Sequence, residues 1–459
     1  MDNIFFLSCF LPLVLAAYWL VPGLKGKNAV LLVFSLLFYS FGSLTSLALL
    51  ISVALVNYLL GLLLKCGRFK KAVLTTGLVL DLAFLGYFKY ADFLLSGILN
   101  FEPLQNSIAV PLGISFFIFK CVSYLMDAYR DGNQATGSFW KLLLYISFFP
   151  QITMGPITRF SEFGPQLESR ACSLENLAMG LRRFAVGLGK KIIIAGTLAT
   201  VADGVFAFEA MDARLAWAGA IAYCLQLFFD FSGYIDMVIG LGTCFGFVTR
   251  ENFNYPYTAT TVGGFWRRWH MSLSTWFKDY LYIPLGGNRK GQLRAGINKS
   301  IVFLLCGLWH GAAWTFVLWG LWHGLFSLLE SLNVIPARKL ESGRGRIAGH
   351  IYTLLVVCVG FVMFRAETVM QGLQIIGAMF AGFRFTAAGT VELFRLLNAQ
   401  TLLAMAVGIG LSMPLANKLM LRLGKYAHGL SFLGALAVLM LCIIKMAAGD
   451  FAPSIYAQF

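Results

Sequence analysis

Long apolar stretches at 47–64, 72–95 and 430–444 decide the class of fold before any motif is considered. A helix needs about 20 mostly apolar residues to cross the hydrocarbon core of a bilayer. Inside that core every backbone N–H and C=O must find a partner within the protein, which leaves helices and closed barrels as the spanning structures. The stretches lack the period-two alternation of a barrel strand, so they predict helices. By the same length rule the chain holds roughly 11 to 13 membrane segments or half-segments, several containing Gly or Pro and so broken or re-entrant. The predicted fold class is all-α, a polytopic transmembrane helical protein forming one integral membrane domain over residues 1–459. Residues of the AVILMFWYC set make up 59% of the chain and charged residues 12%. A soluble domain carries about a quarter charged residues, so lipid must be part of this chain's solvent.

Residues 4–21 are read as the first membrane helix. Met1, Asp2 and Asn3 supply no positive n-region, and no small-x-small cleavage site follows. The net charge is +15, and the positive-inside rule accounts for it better than nucleic-acid binding does. Lys25 and Lys27 follow the first helix, and Arg68, Lys70 and Lys71 follow the third. The turn at 42–45 is uncharged, and the segment 96–108 carries Glu102 and no base. This alternation predicts an extracytoplasmic N-terminus and cytoplasmic basic loops. The nine cysteines include no CxxC pair and sit mostly in apolar segments, as buried small hydrophobes do.

No soluble domain interrupts the chain. Residues 108–330 differ from the plain helices on either side: they are aromatic, punctuated by Gly and studded with polar residues. Asp81, Lys89, Lys120, Asp127, Asp230 and Asp236 fall in apolar surroundings, where ionisable groups are costly and so candidates for function. Asp230 and Asp236 stand six apart and share no helical face, which favours structural anchoring. Of the five histidines, His350 and His428 sit beside basic loop residues and read as surface groups. His310 ends the apolar run 301–309 between Gly307 and Gly311; it is either packing with a hydrogen bond or a base reaching into a cavity. In one unbroken helix His323, thirteen residues on, would be rotated by roughly 220° from His310, which favours a structural role for it. The pentapeptide Gly307-Leu308-Trp309-His310-Gly311 recurs letter for letter at Gly320-Leu321-Trp322-His323-Gly324. His270 lies in 265–281, which as one helix is amphipathic: Trp266, Trp269, His270, Leu273, Trp276, Phe277 and Tyr280 form one face, and Arg267, Arg268, Ser272, Lys278 and Asp279 the other. The three central histidines lack HExxH spacing and a clear fourth ligand, so no metal site is expected.

A series of short motifs runs through this core in order. It includes Pro111 to Phe117, Phe149-Pro150-Gln151, Gly155-Pro156-Ile157, Phe229 to Asp236, Glu251 to Tyr257, Phe265 to Leu273, Tyr280 to Lys290 and Gly307 to Gly311. In that combination the chain resembles the membrane-bound O-acyltransferase family, and within it the bacterial branch that contains alginate O-acetyltransferase. The resemblance implies a multi-helix fold around a central funnel or tunnel, with residues 108–330 as the acyltransferase core. It implies that His310 matches the family's invariant histidine and His270 a second, frequent histidine or asparagine. Neutral imidazole can take the proton of an attacking hydroxyl or form a covalent relay, and the sequence leaves both open. Candidates for substrate contact are Arg267, Arg268, Trp309 and His323.

The implied cosubstrate is a cytoplasmic acyl thioester, acetyl-CoA or an acylated carrier protein, with no bound cofactor. The implied acceptor is an exported or cell-surface polysaccharide, reached with a secreted or periplasmic partner at the plasma or inner membrane. Arg267, Arg268, Lys278, Arg289 and Lys290 either steer a phosphate-bearing donor or anchor lipid headgroups. D-alanyl transfer to teichoic acid by a family cousin is the alternative enzyme reading. A transporter or flippase is the reading from another class, and paired discontinuous helices in two halves, which would favour it, are not evident.

Overall fold

The computed structural model describes residues 3–67, 69–97 and 110–449. Arg68 and the 98–108 part of the segment containing Glu102 lie outside them. All regular structure is helical, and there is no strand among the described residues. Six helices are long and apolar enough to cross a bilayer: Leu44–Cys66, Lys70–Leu95, Leu174–Phe206, Ala213–Cys244, Gly345–Arg365 and Ala427–Ala447. The pair Ala387–Leu396 and Ala399–Leu411, bent by 67°, makes a seventh if it is one span. Phe6–Leu20 and Val369–Ala381 are apolar but shorter. The chain is thus a multi-pass membrane protein.

Fewer full spans result than the segment count from sequence, because several apolar runs stop early. Phe139–Ser147 ends just before Pro150, whose ring disfavours helical backbone in the residue preceding it. Leu44–Cys66 shows the complete form: Ser43 Oγ accepts from Ser46 N at 3.3 Å, and Gly67 ends the helix at φ 81°, the left-handed conformation that Gly adopts without a Cβ penalty. Burial separates core helices from lipid-facing ones. In Ala213–Cys244 94% of the apolar window is buried, against 17% in Ala427–Ala447, so the first packs against protein and the second leaves most of its surface for lipid.

The chain forms two compact units, Met1–Phe184 with Val238–Arg250 and Ala185–Met237 with Glu251–Phe459. In the first, Phe149 meets the rings of Phe10, Phe38 and Phe245 at 5.4, 5.9 and 5.9 Å. Arg170 donates to Asn28 Oδ1 at 2.7 Å and to the Phe245 carbonyl at 2.9 Å. Lys120, fully buried, donates to the Tyr145 carbonyl at 2.8 Å, and Asn57 donates to Asp81 at 2.8 Å. These buried polar groups are held by hydrogen bonds, as apolar surroundings require.

In the second unit, Gly187 and Gly233 let two helices touch backbone to backbone: a Cβ on Gly187 would stand 2.5 Å from the Gly233 carbonyl oxygen. Beside that contact Lys190 pairs with Asp236 at 2.6 Å, and Lys191 pairs with Asp230. Both aspartates are therefore ion-paired anchors. The helices Gly291–His310 and Trp314–Ser331 form a tight antiparallel hairpin in the same unit. A Cβ on Gly320 would stand 2.5 Å from the Phe303 carbonyl oxygen, and one on Gly324 3.1 Å from Ser300 Cα. A Cβ on Gly307 would collide with the Phe316 carbonyl. The glycines of the repeated pentapeptide have their physical reason here, since Gly307 and Gly320 occupy places where only a hydrogen fits and Gly324 a place where a Cβ would be tight.

Candidate active site

His310 is the last residue of its helix, at the closed end of the hairpin. Gly311 follows in extended conformation, with φ −168°, and the next helix starts at Trp314. The imidazole is buried and ringed by aromatic groups: Trp309 at 4.9 Å, Trp319 at 5.3 Å and Phe364 at 5.2 Å between centroids. The interplanar angles to Trp319 and Phe364 are 88° and 82°, edge-to-face arrangements that set a positive ring edge against a negative face.

His323 packs against the same Trp319 ring, at 5.2 Å. The rotation expected for one continuous helix does not apply, because the chain reverses between the two histidines and puts both on the same indole. Trp266 closes the group, 4.9 Å from His323 and 5.4 Å from Trp319, and its Nε1–H donates to His323 Nδ1 at 3.4 Å. His323 Nε2 is buried without a hydrogen-bond partner among the described residues. A Cβ on Gly360 would stand 2.5 Å from that nitrogen.

The segment 265–281 differs from the single amphipathic helix expected. It is built from Val262–Trp266, Met271–Phe277 and Lys278–Tyr282, with a break at 267–270 where His270 takes φ 45°. The two faces survive the break in part: Trp269, His270, Leu273, Trp276, Phe277 and Tyr280 are buried and Arg267 and Lys278 exposed, whereas Trp266, Arg268, Ser272 and Asp279 are half-buried. The left-handed residue re-aims the chain, and two ties hold it there: Met271 N donates to the Asn252 carbonyl at 2.9 Å, and Asn254 N donates to the Arg268 carbonyl at 2.9 Å. His270 packs edge-on against Phe231 at 4.8 Å and lies 6.3 Å from the Trp309 ring. Its Nδ1 faces the Asn252 amide, with Nδ2 at 3.3 Å. Burial pushes the His270 pKa far below the usual histidine value, since a low-dielectric setting disfavours the charged form.

A continuous line of rings therefore runs His270–Trp309–His310–Trp319–His323–Trp266, all in the second unit. Of the residues singled out from sequence, His310, His270, Trp309 and His323 come together in it. Arg267 and Arg268 do not. Arg267 lies at the surface, 3.5 Å from Glu341, and Arg268 donates to Thr258 Oγ1 at 2.7 Å. Sequence reasoning missed Trp319 and Phe364, whose proximity depends on the hairpin and on packing of Gly345–Arg365. It named Asn252 inside a motif without giving it a task. Among the described residues no three of His, Cys, Asp and Glu are grouped to hold a metal ion. A separate cleft of about 800 Å³ is lined by Phe206, Glu209, Arg365, Glu367 and Gln371 among others, and by none of the three histidines.

The sequence profile of the membrane-bound O-acyltransferase family matches residues 31–365, a segment that holds every member of the ring line. A probable alginate O-acetylase of Pseudomonas putida is 42% identical over 389 residues, covering 82% of this chain and 79% of that protein. A peptidoglycan O-acetyltransferase of Helicobacter pylori is 36% identical over 419 residues, covering 82% and 78%. A teichoic acid D-alanyltransferase of Bacillus subtilis is 30% identical over 286 residues, covering 58% and 71%.

Proposed function

Because this chain belongs to the membrane-bound O-acyltransferase family, we propose that it moves an acetyl group from a cytoplasmic thioester to a hydroxyl of an exported or cell-surface polysaccharide, with His310 as the base. The observation that carries the reading is the placement of His310. It sits buried at the closed end of a hairpin fixed by glycine contacts, in one ring line with His270 and His323.

The chemistry follows from those groups. The acceptor hydroxyl gives its proton to neutral His310 as its oxygen bonds to the thioester carbonyl carbon. The negative charge that develops on the carbonyl oxygen needs a hydrogen-bond donor in a site with little water, where such a donor counts most. His270, whose ring lies 6.3 Å from that of Trp309, is the candidate for that donor. When the C–S bond breaks, the proton on His310 passes to the leaving sulfur, so ester and free thiol form and the base is restored. A base in this role contributes about 10²–10⁴-fold.

Acetyl-CoA suits the donor side, since its phosphates keep it from crossing lipid and the exposed Arg267 with the neighbouring Arg268 offers positive charge toward it. The relatives that act on alginate and peptidoglycan favour a polysaccharide acceptor over teichoic acid, the relative for which identity and coverage are lower. A secreted or periplasmic partner would present the acceptor hydroxyl from the outer side. The N-terminus is assigned to the extracytoplasmic side and the loop after Leu44–Cys66 to the cytoplasm.

The decisive experiment replaces His310 with Ala and measures product ester by mass spectrometry, with melting in detergent as the folding control. Loss of at least a hundredfold in ester with melting unchanged is expected; activity within tenfold of the parent removes His310 from the mechanism. Supplying acetyl-CoA and an alanyl-loaded carrier protein in parallel separates the two acyl donors. Topology is checked on Cys66, which is exposed. As the sole cysteine it should react with an impermeant reagent only after the cells are opened, and reaction in intact cells reverses the assignment.

A further inference from the structure

Asn252 is wholly buried, and every polar contact it makes is to the turn that carries His270. Its backbone carbonyl accepts from Met271 N at 2.9 Å, and its side-chain Oδ1 accepts from Ser272 N at 2.8 Å. A backbone N–H can only donate, so this bond fixes which end of the amide is oxygen. The other end, Nδ2, is then the nearer amide atom to His270 Nδ1, 3.3 Å away against 3.5 Å for Oδ1, and directs its N–H there. An amide N–H facing Nδ1 requires a lone pair there. In a neutral imidazole the proton must then be on Nε2, and that nitrogen is buried with no hydrogen-bond partner among the described residues. His323 repeats the pattern independently: an indole N–H, which can only donate, faces its Nδ1, and its Nε2 is likewise left over.

We propose that Asn252 is a positioning residue that locks His270 in the Nε2–H tautomer, so that His270 serves as a hydrogen-bond donor to the acyl carbonyl oxygen and leaves proton abstraction to His310. The proposal rests on the acyl-transfer reading for its chemical meaning. The tautomer itself does not depend on that reading. No bond to His270 forms or breaks: its Nε2–H binds the oxyanion as the acceptor oxygen adds to the carbonyl carbon, and releases it when the carbonyl re-forms and the thiolate departs. A donor of this kind is aimed where charge develops rather than where it already stands, and loss of one such donor costs about 10²–10³ in kcat. The left-handed backbone at His270 fits the same account. That conformation is strained for a residue with a Cβ, and the two Asn252 bonds to residues 271 and 272 hold it in place.

The test uses the full chain in detergent with ring-¹⁵N histidine, assigning His270 by the signal lost in His270→Gln. The parent protein should show His270 with a bare Nδ1 and a protonated Nε2, and a protonated Nδ1 overturns the proposal. In Asn252→Ala the tautomer ratio should shift and kcat should fall at least thirtyfold, with the donor KM within threefold. An unchanged tautomer and kcat overturn it as well. Should Asn252→Ala fail to fold, a second pair of variants decides. Gln places an amide N–H near the Nε2 position but cannot act as a base, so His270→Gln should retain at least ten times the activity of His270→Ala. Equal activities would mean that His270 works by taking a proton, and the proposal falls. If the parent protein has the expected tautomer but transfers no acyl group from any thioester, the proposed function fails and the assignment of the proton stands.

Discussion

Two groups of polar side chains are buried in the same unit, and they meet the cost of burial by different means. Lys190 pairs with Asp236 and Lys191 with Asp230 across a helix contact made possible by Gly187 and Gly233. His270 and His323 are engaged by uncharged groups, the Asn252 amide and the Trp266 indole. His270 and His323 each have one nitrogen engaged by a donor and one left over, with rings filling the remaining space. Opposite charges that neutralise each other make a fastener, with little left to offer a substrate. A neutral imidazole with one nitrogen engaged keeps its second nitrogen for a molecule that is yet to arrive. The contrast separates anchors from candidates for chemistry among the ionisable residues of this unit.

Substitutions should separate the two groups by what is lost. The largest effect belongs to the ring line: His310→Ala should reduce ester formation by at least a hundredfold and leave melting within a few degrees. The converse belongs to the ion pair. Lys191→Ala strands a buried carboxylate, a change that costs about 3–5 kcal/mol, and denaturation in mixed micelles should register it. Changing Lys191 to Met together with Asp230 to Leu should restore most of that loss; a double variant as unstable as the single one would mean that the pair does not act as a unit. Lys190→Ala should cost less, because the Lys190–Asp236 pair is 27% and 15% exposed at its two side chains, against 2% and 7% for Lys191 and Asp230.

Gly320→Ala lies between the two groups. The added methyl meets the Phe303 carbonyl at 2.5 Å, backbone that cannot swing aside, and overpacking of this sort costs about 1–3 kcal/mol. Activity should fall more than stability does, since the hairpin sets the place of His310; a loss of stability alone would show that the site tolerates a wider hairpin. The smallest effect is expected at the surface. Arg267→Gln with Arg268→Gln should raise the donor KM a few-fold and flatten its response to salt, because screening weakens only encounter driven by charge. Unchanged KM and salt response would leave lipid anchoring as the task of both arginines.

The all-helical class and the membrane setting were legible in the sequence, and so was the choice of His310 and His270 as candidates, for reasons that differ. Apolar runs act through length alone, so 47–64 announces its helix without reference to any other part of the chain. The burial pattern of 265–281 was legible too, because side-chain alternation survives a local break. The break was hidden, since the left-handed turn at His270 is held by Asn252, eighteen residues earlier, and no local propensity records a bond of that kind. The meeting of His310 and His323 was hidden for a similar reason. A helical wheel presumes continuity, and three residues between His310 and Trp314 reverse the chain. The pentapeptide repeat was visible as letters, yet its meaning needed the opposing backbone. Asp230 and Asp236 read as anchors from their spacing, whereas their partners became evident only once Lys190 and Lys191 were in view.

The glycine contacts of the hairpin bear on how finely His310 is located. Interlocking side chains carry slack, because each can shift among neighbouring rotamers when one of them changes. A carbonyl resting against a glycine has no such freedom. Gly307 lies three residues before His310 in the same helix, so the place of the imidazole is set by main-chain contact rather than by a side-chain cluster alone. Reactions between oriented groups lose about a hundredfold in rate for roughly 1 Å of misplacement. Replacement of the surrounding rings should therefore disturb the nitrogen less than replacement of Gly307 or Gly320, where a Cβ would stand 2.3 and 2.5 Å from an opposing carbonyl oxygen.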